Sequence, residues 1–426
     1  MEGKYWNPEI ETMPLDKLRK LQEERLKLLV AHAYEKTGLY RRKFDQAGIK
    51  PQDINTLDDL KKLPMTTYLE DFCNTPIPEK LAVPMEEVKV FYTTSGTLSG
   101  FTQPIMWTRK DFDEIIGQGE IRLRLALGMR ADDVVQALAG DYCCFKGCEL
   151  MGAGFLTVMA GRGNLDYQIR LAKVTGVTVL QYLPSLMLRY FERAKELGID
   201  IRETKLRLVA IFGESFAESY RRRLEAEYGV AIRTMYSCAE VPFIAHECLE
   251  GKGMHIFGDW CIVEVIDPDT GEILGPGEEG EIVATPLVNE AMPLIRYRVG
   301  DVASILPYEP CPCGRTHPKI SLVKGRVAHI IKVDGKKIMP IDVEEVVANT
   351  LGLADDYQII VTKPGEQQRL NVKAEYKPEI KDVNALKNQF EAALSQNLAV
   401  ESEAELVPLG TLGRPLFKAQ RIIATY

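Results

Sequence analysis

The sequence predicts an α/β protein with a large N-terminal domain of mainly parallel sheets, helices and a small β region, followed by a small α+β domain. The main observation is that short apolar runs alternate with helical segments, as expected when helices connect parallel strands. At the N-terminus, leucines at helical spacing after Pro14 predict a further helix. The apolar runs lie at 133–140, 177–184 and 206–213, and the helical segments at 186–198 and 218–229.

Two changes of pattern complete this prediction. After Met235 apolar and polar residues alternate, and the turn sequences DPDTG and GPGEEG interrupt them, which indicates antiparallel strands. Near residue 326 the composition changes again, and two strands, a helix and a last strand near Leu406 are predicted. We therefore predict one domain at 1–325 and a second at 326–426, long enough for a core of its own.

Composition and charge exclude several classes of protein. The chain has 53 Lys and Arg against 61 Asp and Glu, a net charge of -8, which argues against general nucleic-acid binding. It has no apolar run of about 18 residues and no signal-peptide core, so we expect a cytoplasmic protein without membrane contact. Nine cysteines, an odd number, indicate reduced thiols, with a metal site where they cluster.

A candidate phosphate-binding loop lies at residues 92–100, YTTSGTLSG, after the apolar run that begins at Val88. Glycines let backbone N–H groups approach a phosphate, and hydroxyl side chains add hydrogen-bond donors. The loop lacks the lysine and the spacing of GxxxxGK[ST]. A solvated turn has the same composition, so residues elsewhere must decide between the two interpretations.

Three further segments carry groups that suit a nucleotide. In YSCAE, Tyr236 can stack or hydrogen-bond, and Glu240 can hold Mg²⁺ beside phosphates. In RYRVGD, Asp301 can accept from ribose hydroxyls, while the two arginines can either neutralise phosphate or form a surface salt-bridge cluster. Lys418 follows a loop with proline and glycine, and a lone lysine there is also typical of a solvated surface.

Together these segments resemble the adenylate-forming superfamily, most closely its phenylacetate–coenzyme A ligase branch. YTTSGTLSG is similar to [ST]SGTTGxP, FGESF to the GxEP turn, YSCAE to Y-G-x-[ST]-E and RYRVGD to Y-R-x-G-D. The sequence from 325 with IKVDGKKIMPIDVEE resembles the inter-domain hinge, FKAQR resembles the terminal G-K-x-x-R, and 21–49 resembles the helical N-terminus of this branch. The motifs occur in family order over almost the whole chain.

The resemblance implies an enzyme that joins ATP and a carboxylic acid, expected to be aromatic, into an acyl-adenylate and pyrophosphate. Coenzyme A then displaces AMP to form a thioester, after the small domain rotates about the hinge. The implied catalytic residues are Lys418, which bridges carboxylate and phosphate oxygens, and Glu240, which holds Mg²⁺. The implied ATP-binding residues are Thr94, Ser95, Gly96 and Thr97 at the phosphates, Gly213, Glu214, Tyr236 and Ser237 at the adenine, Asp301 at the ribose and Arg326 at the hinge.

The sequence departs from the family pattern in four of these motifs. The phosphate loop has one extra residue, and Phe101 lies near the usual lysine. Ser237 replaces a glycine, Ala328 replaces a hinge acid, and Phe417 replaces the glycine before the lysine. Together these changes indicate a divergent member of the family.

The cysteines near residue 311 predict a metal site. Three thiolates and one imidazole form a closed tetrahedral Zn²⁺ site, which is structural rather than catalytic, and members of the branch look similar here. His246 and His317 stay open as alternatives for the fourth ligand, and unligated reduced thiols are the alternative to a metal. The predicted ligands are Cys248, His255, Cys311 and Cys313.

The segment DYCCFKGCELMG at 141–152 resembles the aryl-binding segment of relatives. Tyr142, Phe145 and Gly147 are therefore the candidate acid-binding residues, although a core position for Phe145 is equally compatible with the sequence.

We expect an aryl- or acyl-coenzyme A ligase whose partners are a small-molecule acid, ATP and coenzyme A. One alternative is an adenylating synthetase that transfers AMP to an acceptor such as a deazaflavin cofactor. The other is a nucleotide-binding regulatory protein with a degenerate site. A homodimer is left open.

Overall fold

The computed structural model describes residues 3–93, 103–138, 142–158, 165–413 and 420–426. The chain divides into two compact units, each built from two stretches of sequence. The first unit comprises residues 1–156 and 233–322, and the second comprises 157–232 and 323–426. One division therefore lies next to the predicted boundary at 325, and the assignment of the two domains stays a prediction.

The first unit begins with a helix pair. Helix Leu15–Lys36 starts after Pro14, as predicted, and buries a stripe that includes Leu26 and Val30. Thr37 links it to helix Gly38–Ala47, because its hydroxyl donates to Ala33 O and accepts from Tyr40 N. The other helices and helical turns of this unit are Pro8–Glu11, Pro51–Asp53, Leu57–Lys62, Tyr68–Cys73, Ile77–Lys80, Met85–Glu87, Asp111–Gly117, Gln118–Ala126 and Tyr142–Met151.

Antiparallel pairing dominates the rest of the first unit, as the alternating pattern after Met235 predicts. Val88–Thr93 pairs with Pro104–Thr108. A second sheet has the order Cys261–Ile266, Gly280–Pro286 and Tyr297–Ala303. A third has the order Lys319–Ile320, Met254–Ile256, Ala245–His246 and the end of Ala231–Tyr236. Strand Val134–Leu138 also lies in this unit, and strand Gly154–Val158 begins in it.

The second unit contains the parallel strands that the apolar runs predict. Val179–Tyr182 pairs in parallel with Leu208–Ile211, and both strands are fully buried. This is the environment in which continuous apolar runs are expected. The helices and short elements of this part are Leu165–Thr175, Pro184–Glu196, Ile201–Glu203, Glu218–Tyr228, Gly325–Arg326 and Val327–His329.

The C-terminal part of the second unit has its own core. A hairpin joins Ile331–Val333 to Lys336–Ile338, and Asp334 and Gly335 at its turn have φ angles of 46° and 75°. Positive φ at both turn residues is the geometry that an Asp-Gly pair favours. The sheet order is Ser402–Pro408, Leu370–Tyr376, Leu353–Val361 and Ile422–Ala424, and the helices Pro340–Asn349 and Val383–Leu398 contribute to the same core.

None of the helices in the described part of the chain has the length and apolar composition needed to cross a bilayer.

Candidate active site

Two residues predicted from separate motifs meet in the first unit. Tyr236 ends a strand that pairs with Ala245, and Asp301 lies in strand Tyr297–Ala303. The Tyr236 hydroxyl donates to Asp301 Oδ2 at 2.9 Å, and both side chains are buried. The predicted adenine and ribose residues are therefore neighbours, as one bound nucleoside requires. Ser237, the next residue after Tyr236, is exposed.

Glu240 lies on the turn that follows this strand. Backbone hydrogen bonds between Cys238 and Val241, of 3.1 and 3.2 Å, close the turn. The Glu240 side chain is buried and hydrogen-bonds the phenol of Tyr297. Burial raises the pKa of both the Tyr297 phenol and the Cys238 thiol, so both neighbours stay protonated beside the carboxylate. Glu240 is thus the ionisable group of this turn that suits a cation.

Tyr297 is a residue of this site that the sequence analysis did not single out. Its signal in the sequence is its position in the RYRVGD segment, between the two arginines and four residues before Asp301. Its hydroxyl now connects that segment to Glu240. Tyr297 also packs its ring edge-on against Phe72, with the ring centroids 6.4 Å apart.

The two arginines of RYRVGD form internal ion pairs. The Nε and Nη2 atoms of Arg296 each lie 3.0 Å from an oxygen of Glu264, and Arg298 pairs with Glu281. Carboxylates therefore pair with both guanidinium groups, which favours the salt-bridge interpretation for these two residues. Arg296 is moreover buried, so the cluster does not lie on the surface as expected.

The second unit holds the other predicted adenine residues. Gly213 has a φ of 76°, a conformation that glycine adopts without strain. Glu214 accepts from Ser185 N at 2.9 Å and from Ser185 Oγ at 3.1 Å, in the first turn of helix Pro184–Glu196. Arg326 lies in the short strand Gly325–Arg326 of the same unit. The predicted residues Thr94, Ser95, Gly96, Thr97 and Lys418 lie outside the described residues.

The candidate acid-binding residues lie on helix Tyr142–Met151 in the first unit. Tyr142 and Phe145 are 55% and 41% exposed, so Phe145 is not the core residue of the alternative interpretation. They belong to a continuous set of ring contacts, which we call the aromatic row. Its members, with neighbouring centroids 5.4 to 6.2 Å apart, are Tyr92, Trp107, Phe112, Tyr142, Phe145 and Phe155.

Gly147 lies on the opposite, buried side of this helix. A Cβ atom at Gly147 would lie 2.7 Å from Arg124 Nη1 and 2.8 Å from Glu120 Cβ. The helix can therefore approach the buried Arg124–Glu120 pair only with glycine at this position. Gly147 thus permits the short distance between this helix and the Arg124–Glu120 pair, whereas the exposed rings of Tyr142 and Phe145 form the apolar surface.

The four predicted metal ligands form one buried cluster. One ligand atom from each of Cys248, His255, Cys311 and Cys313 lies within 4.8 Å of all the others. The Cys248 and Cys311 sulfurs are 3.7 Å apart, and Cys313 Sγ is 3.5 Å from His255 Nε2. Zn–S bonds of about 2.3 Å in a tetrahedron separate two sulfurs by about 3.8 Å, so these distances fit a closed zinc site.

The surroundings of the cluster select His255 among the three candidate histidines. His255 Nδ1 lies 3.2 Å from His317 O, which leaves Nε2 directed at Cys313, as in metal-binding histidines oriented by a carbonyl. The two ring nitrogens of His317 instead hydrogen-bond to the backbone oxygens of Ile10 and Ile256. His246 Nδ1 hydrogen-bonds to Glu247 O. Hydrogen bonds from Cys248 and His255 hold the pKa of the Cys313 thiol far below its usual value.

Comparison with known proteins identifies the family. Residues 17–286 match the family described as AMP-binding enzyme, and residues 335–425 match the AMP-binding enzyme C-terminal domain. The chain belongs to the AMP-binding enzyme family. This match and the two relatives described next confirm the prediction that the chain is a member of the adenylate-forming superfamily, in its phenylacetate–coenzyme A ligase branch.

Two curated relatives cover most of this AMP-binding enzyme. A phenylacetate-coenzyme A ligase of Thermus thermophilus is 32% identical over 435 residues, which cover 96% of each chain. A phenylacetate-coenzyme A ligase of Aromatoleum evansii is 37% identical over 381 residues, 87% of this chain and 84% of that one. The predicted enzyme class, an AMP-forming acid–thiol ligase, is confirmed by this similarity.

A solved structure confirms the predicted fold class. The crystal structure of a 2-hydroxyisobutyryl-CoA ligase in its postadenylation state matches this AMP-binding enzyme with a TM-score of 0.92. The match covers 99% of this chain and 93% of that one, at 23% sequence identity. At this identity the match establishes the fold, an α/β architecture with a small C-terminal α+β part.

Proposed function

We propose that this enzyme activates a carboxylic acid by forming its acyl-adenylate from ATP, and then transfers the acyl group to coenzyme A. Aryl acids are the first substrates to test. The observation that carries this proposal is the hydrogen bond between Tyr236 and Asp301, with Glu240 on the adjoining turn. The 37% identity to a phenylacetate-coenzyme A ligase supports the choice of reaction.

Residues of this chain would bind each part of the nucleotide and stabilise the charge that develops in the reaction. Tyr236 and Glu214 would contact the adenine, and Asp301, which already accepts one hydrogen bond, would accept from the ribose hydroxyls. Mg²⁺ would supply positive charge at the phosphates, and Glu240 is the residue that would hold it. Lys418 would stabilise the charge that develops as the carboxylate attacks the α-phosphorus.

The acid would lie against the exposed rings of Tyr142 and Phe145. Both rings are more than a third exposed and belong to the aromatic row, which offers apolar area for the ring of the acid. An aromatic acid gains from offset or edge-on ring contacts there. Its carboxylate would point towards the nucleotide.

The direct test is acid-dependent exchange of pyrophosphate into ATP with a panel of aryl acids. We expect exchange in wild type and a loss of about a hundredfold or more in Glu240→Gln, because the amide cannot supply the charge for the cation. Glu279→Gln, an acid-to-amide change in the turn before strand Gly280–Pro286, is the matched control. Absence of exchange with every acid would contradict the proposal.

Product analysis separates this function from the alternatives. A coenzyme A thioester and free AMP are expected. An adenylated acceptor formed without coenzyme A would indicate the synthetase that transfers AMP to a cofactor such as a deazaflavin. ATP binding without turnover would indicate a regulatory protein.

We also propose that the cluster of three cysteines and His255 holds a structural Zn²⁺. Its four ligands leave no open coordination position, so the metal would stabilise the fold and take no part in the reaction. Metal analysis after purification without chelators is expected to give about one zinc per chain. Substoichiometric zinc that does not change in Cys311→Ser would overturn this proposal.

The small domain at 326–426 would act as a lid that carries Lys418 and rotates between the two steps. Limited proteolysis near Gly325, compared with and without an acyl-adenylate analogue, tests this proposal. We expect protection in one of the two states, whereas identical cleavage would contradict it. The cytoplasmic location and the homodimer left open above stay predictions.

A further inference from the structure

A buried carboxylate on the C-terminal helix Pro340–Asn349 joins three parts of the second unit. Glu344 is 7% exposed, and its Oε1 accepts from Ala217 N at 3.0 Å. Its Oε2 lies 3.7 Å from Arg421 Nη2. Ala217 follows the turn of Glu214, and Arg421 lies three residues beyond Lys418 in the sequence. Glu344 therefore connects the predicted adenine turn to the residue that follows the predicted catalytic segment.

The neighbours of Glu344 reinforce this connection. Glu345 Oε1 accepts from Ser219 N at 3.3 Å and also from Glu218 N. Asn349 Nδ2 donates to Ser219 Oγ at 2.7 Å. These groups bind the first turn of helix Glu218–Tyr228. The N–H groups of a first turn have no partner within the helix, and together with the helix dipole they favour a negative charge there.

Both flanks of residues 414–419 are fixed to the same C-terminal sheet. Before this segment, the fully buried Glu375 accepts from Gly410 N at 2.8 Å and from Leu412 N at 2.6 Å. After it, Arg421 O accepts from Ile359 N at 2.7 Å, and the Arg421 guanidinium lies 4.4 Å from the Tyr357 ring centroid. Glu375 acts within the C-terminal part alone, whereas Glu344 also reaches residue 217.

From these contacts we infer that Glu344 is a positioning residue for the adenylation step, because it aligns the adenine turn with Arg421 and hence with the chain that carries Lys418. This inference rests on the proposed function. Glu344 touches neither acid nor nucleotide in this role, and it acts through Ala217 and Arg421. The thioester step, for which the lid domain would rotate away, does not need this alignment.

The ionisation of Glu344 gives the role a pH signature. Burial raises the pKa of Glu344 to about 7, although the Arg421 guanidinium and the Ala217 N–H oppose this rise. Glu214 and Asp355 act in the same direction as burial. The phenols of Tyr357 and Tyr220 also face it, and burial keeps both protonated. Above about pH 7 the carboxylate is ionised and pairs with Arg421; below it the pair is lost.

The test compares two half-reactions in Glu344→Gln. The amide keeps the shape and an acceptor for Ala217 N–H but cannot pair with Arg421. At pH 8 we expect pyrophosphate exchange to fall about tenfold, chiefly in kcat, while thioester formation from a preformed acyl-adenylate stays within about twofold. We also expect the acidic limb of the wild-type exchange profile near pH 7 to disappear.

Asp382→Asn is the matched control, because Asp382 also accepts a backbone N–H at the start of a C-terminal helix. We expect unchanged exchange in this variant. Arg421→Met removes the pair from the other side and keeps the aliphatic stem over Tyr357. In the double variant with Glu344→Gln, the loss is expected to equal that of Arg421→Met alone, because Arg421→Met already removes the Glu344 pair in addition to the contact with Asp356 at 3.5 Å.

The outcomes separate the inference from the function on which it rests. Exchange in wild type with no change in a folded Glu344→Gln, or equal losses in both half-reactions, would overturn the inference alone. If Glu344→Gln does not fold, an unchanged exchange rate in Arg421→Met would overturn it. No exchange in wild type with any acid would overturn the proposed function as well.

Discussion

Buried polar groups join distant segments in both units, but they do so by different chemistry. In the first unit, Arg122 and Asp259 form a two-bond pair in which both residues are at most 3% exposed, and the four residues of the cysteine cluster are at most 9% exposed. In the second unit, Glu345 accepts backbone N–H groups at the start of a helix, and Arg223 pairs with a half-buried Asp355. Separation leaves a buried charge unpaired in the first case, whereas water can replace the partner in the second.

This difference predicts that the buried groups of the first unit, which we call the permanent frame, separate only on unfolding, whereas the contacts of Glu345 and Arg223 can open. Water can hydrate a helix N-terminus once a carboxylate leaves it, so the free energy lost on opening is small. The rotation proposed for residues 326–426 would need contacts of this second kind. The following predictions test the contrast from the largest expected effect to the smallest.

The largest effect is expected at the cysteine cluster. Cys311→Ser removes one ligand of the proposed zinc site, and we expect loss of the proposed Zn²⁺ and a decrease in the free energy of unfolding of about 4 kcal/mol or more. Cys261→Ser is the control, because Cys261 is also buried but lies outside the cluster. Denaturant unfolding and metal analysis measure both quantities. If Cys311→Ser retained zinc and lost no more free energy of unfolding than the control, the cluster would not belong to the permanent frame.

The second effect concerns the buried ion pair of the first unit. Arg122→Met leaves the Asp259 carboxylate buried, with Arg25 at 3.9 Å as a more distant cation. We expect a loss of about 3–5 kcal/mol in the free energy of unfolding. Arg109→Met breaks the exposed Arg109–Asp113 pair and is expected to cost at most about 1 kcal/mol. Similar losses in the two variants would show that burial of the pair is not decisive.

The third effect is a pH dependence in the second unit. The folded pKa of Glu344, about 7, lies above its ordinary value of 4.5, so the folded state binds the proton more tightly. Its contribution is complete below pH 4.5 and declines as the pH rises to about 7, by at most about 1.4 kcal/mol per pH unit. Unfolding of wild type and Glu344→Gln at pH 5 and 7.5 measures this. A difference between the proteins that does not change with pH would contradict it.

The smallest effect is expected at Arg223. Its pair with Asp355 has an N–O distance of 2.9 Å, but the arginine side chain is 39% exposed. Arg223→Gln is therefore expected to change the free energy of unfolding by less than about 1 kcal/mol, with a smaller change at high salt. Thermal unfolding at two salt concentrations measures this effect. A salt-independent loss of several kcal/mol would place this contact with the permanent frame.

The fold could be predicted where local pattern determines structure. The apolar runs at 177–184 and 206–213 became parallel buried strands, and the Asp334-Gly335 pair became a tight hairpin turn. Strand Ile422–Ala424 was not predicted, because three residues carry too little periodicity. Its partner Leu353–Val361 lies more than sixty residues earlier in the sequence.

The site could be predicted only in part, because its contacts join residues far apart in sequence. Spacing indicated the metal ligands, but only the fold distinguishes His255 from His246 and His317. Nothing local shows that Arg296 pairs with Glu264, since this depends on neighbouring segments of the fold. Glu344 is likewise one of three acids in the helix PIDVEEVVAN, and only its contacts with Ala217 and Arg421 in the fold distinguish it. The phosphate loop and Lys418 rest on motif resemblance and stay predictions.

The aromatic row has an optical consequence. Trp107 is buried between Tyr92 and Phe112, and contacts continue from Phe112 to the exposed ring of Tyr142. With Trp6 and Trp260 replaced by phenylalanine, Trp107 would be the single indole fluorophore of this chain, which has three tryptophans. An aromatic acid that absorbs in the emission range of indole and lies on Tyr142 would quench it by energy transfer. Trp107 would then report occupancy of the proposed acid site without an attached dye.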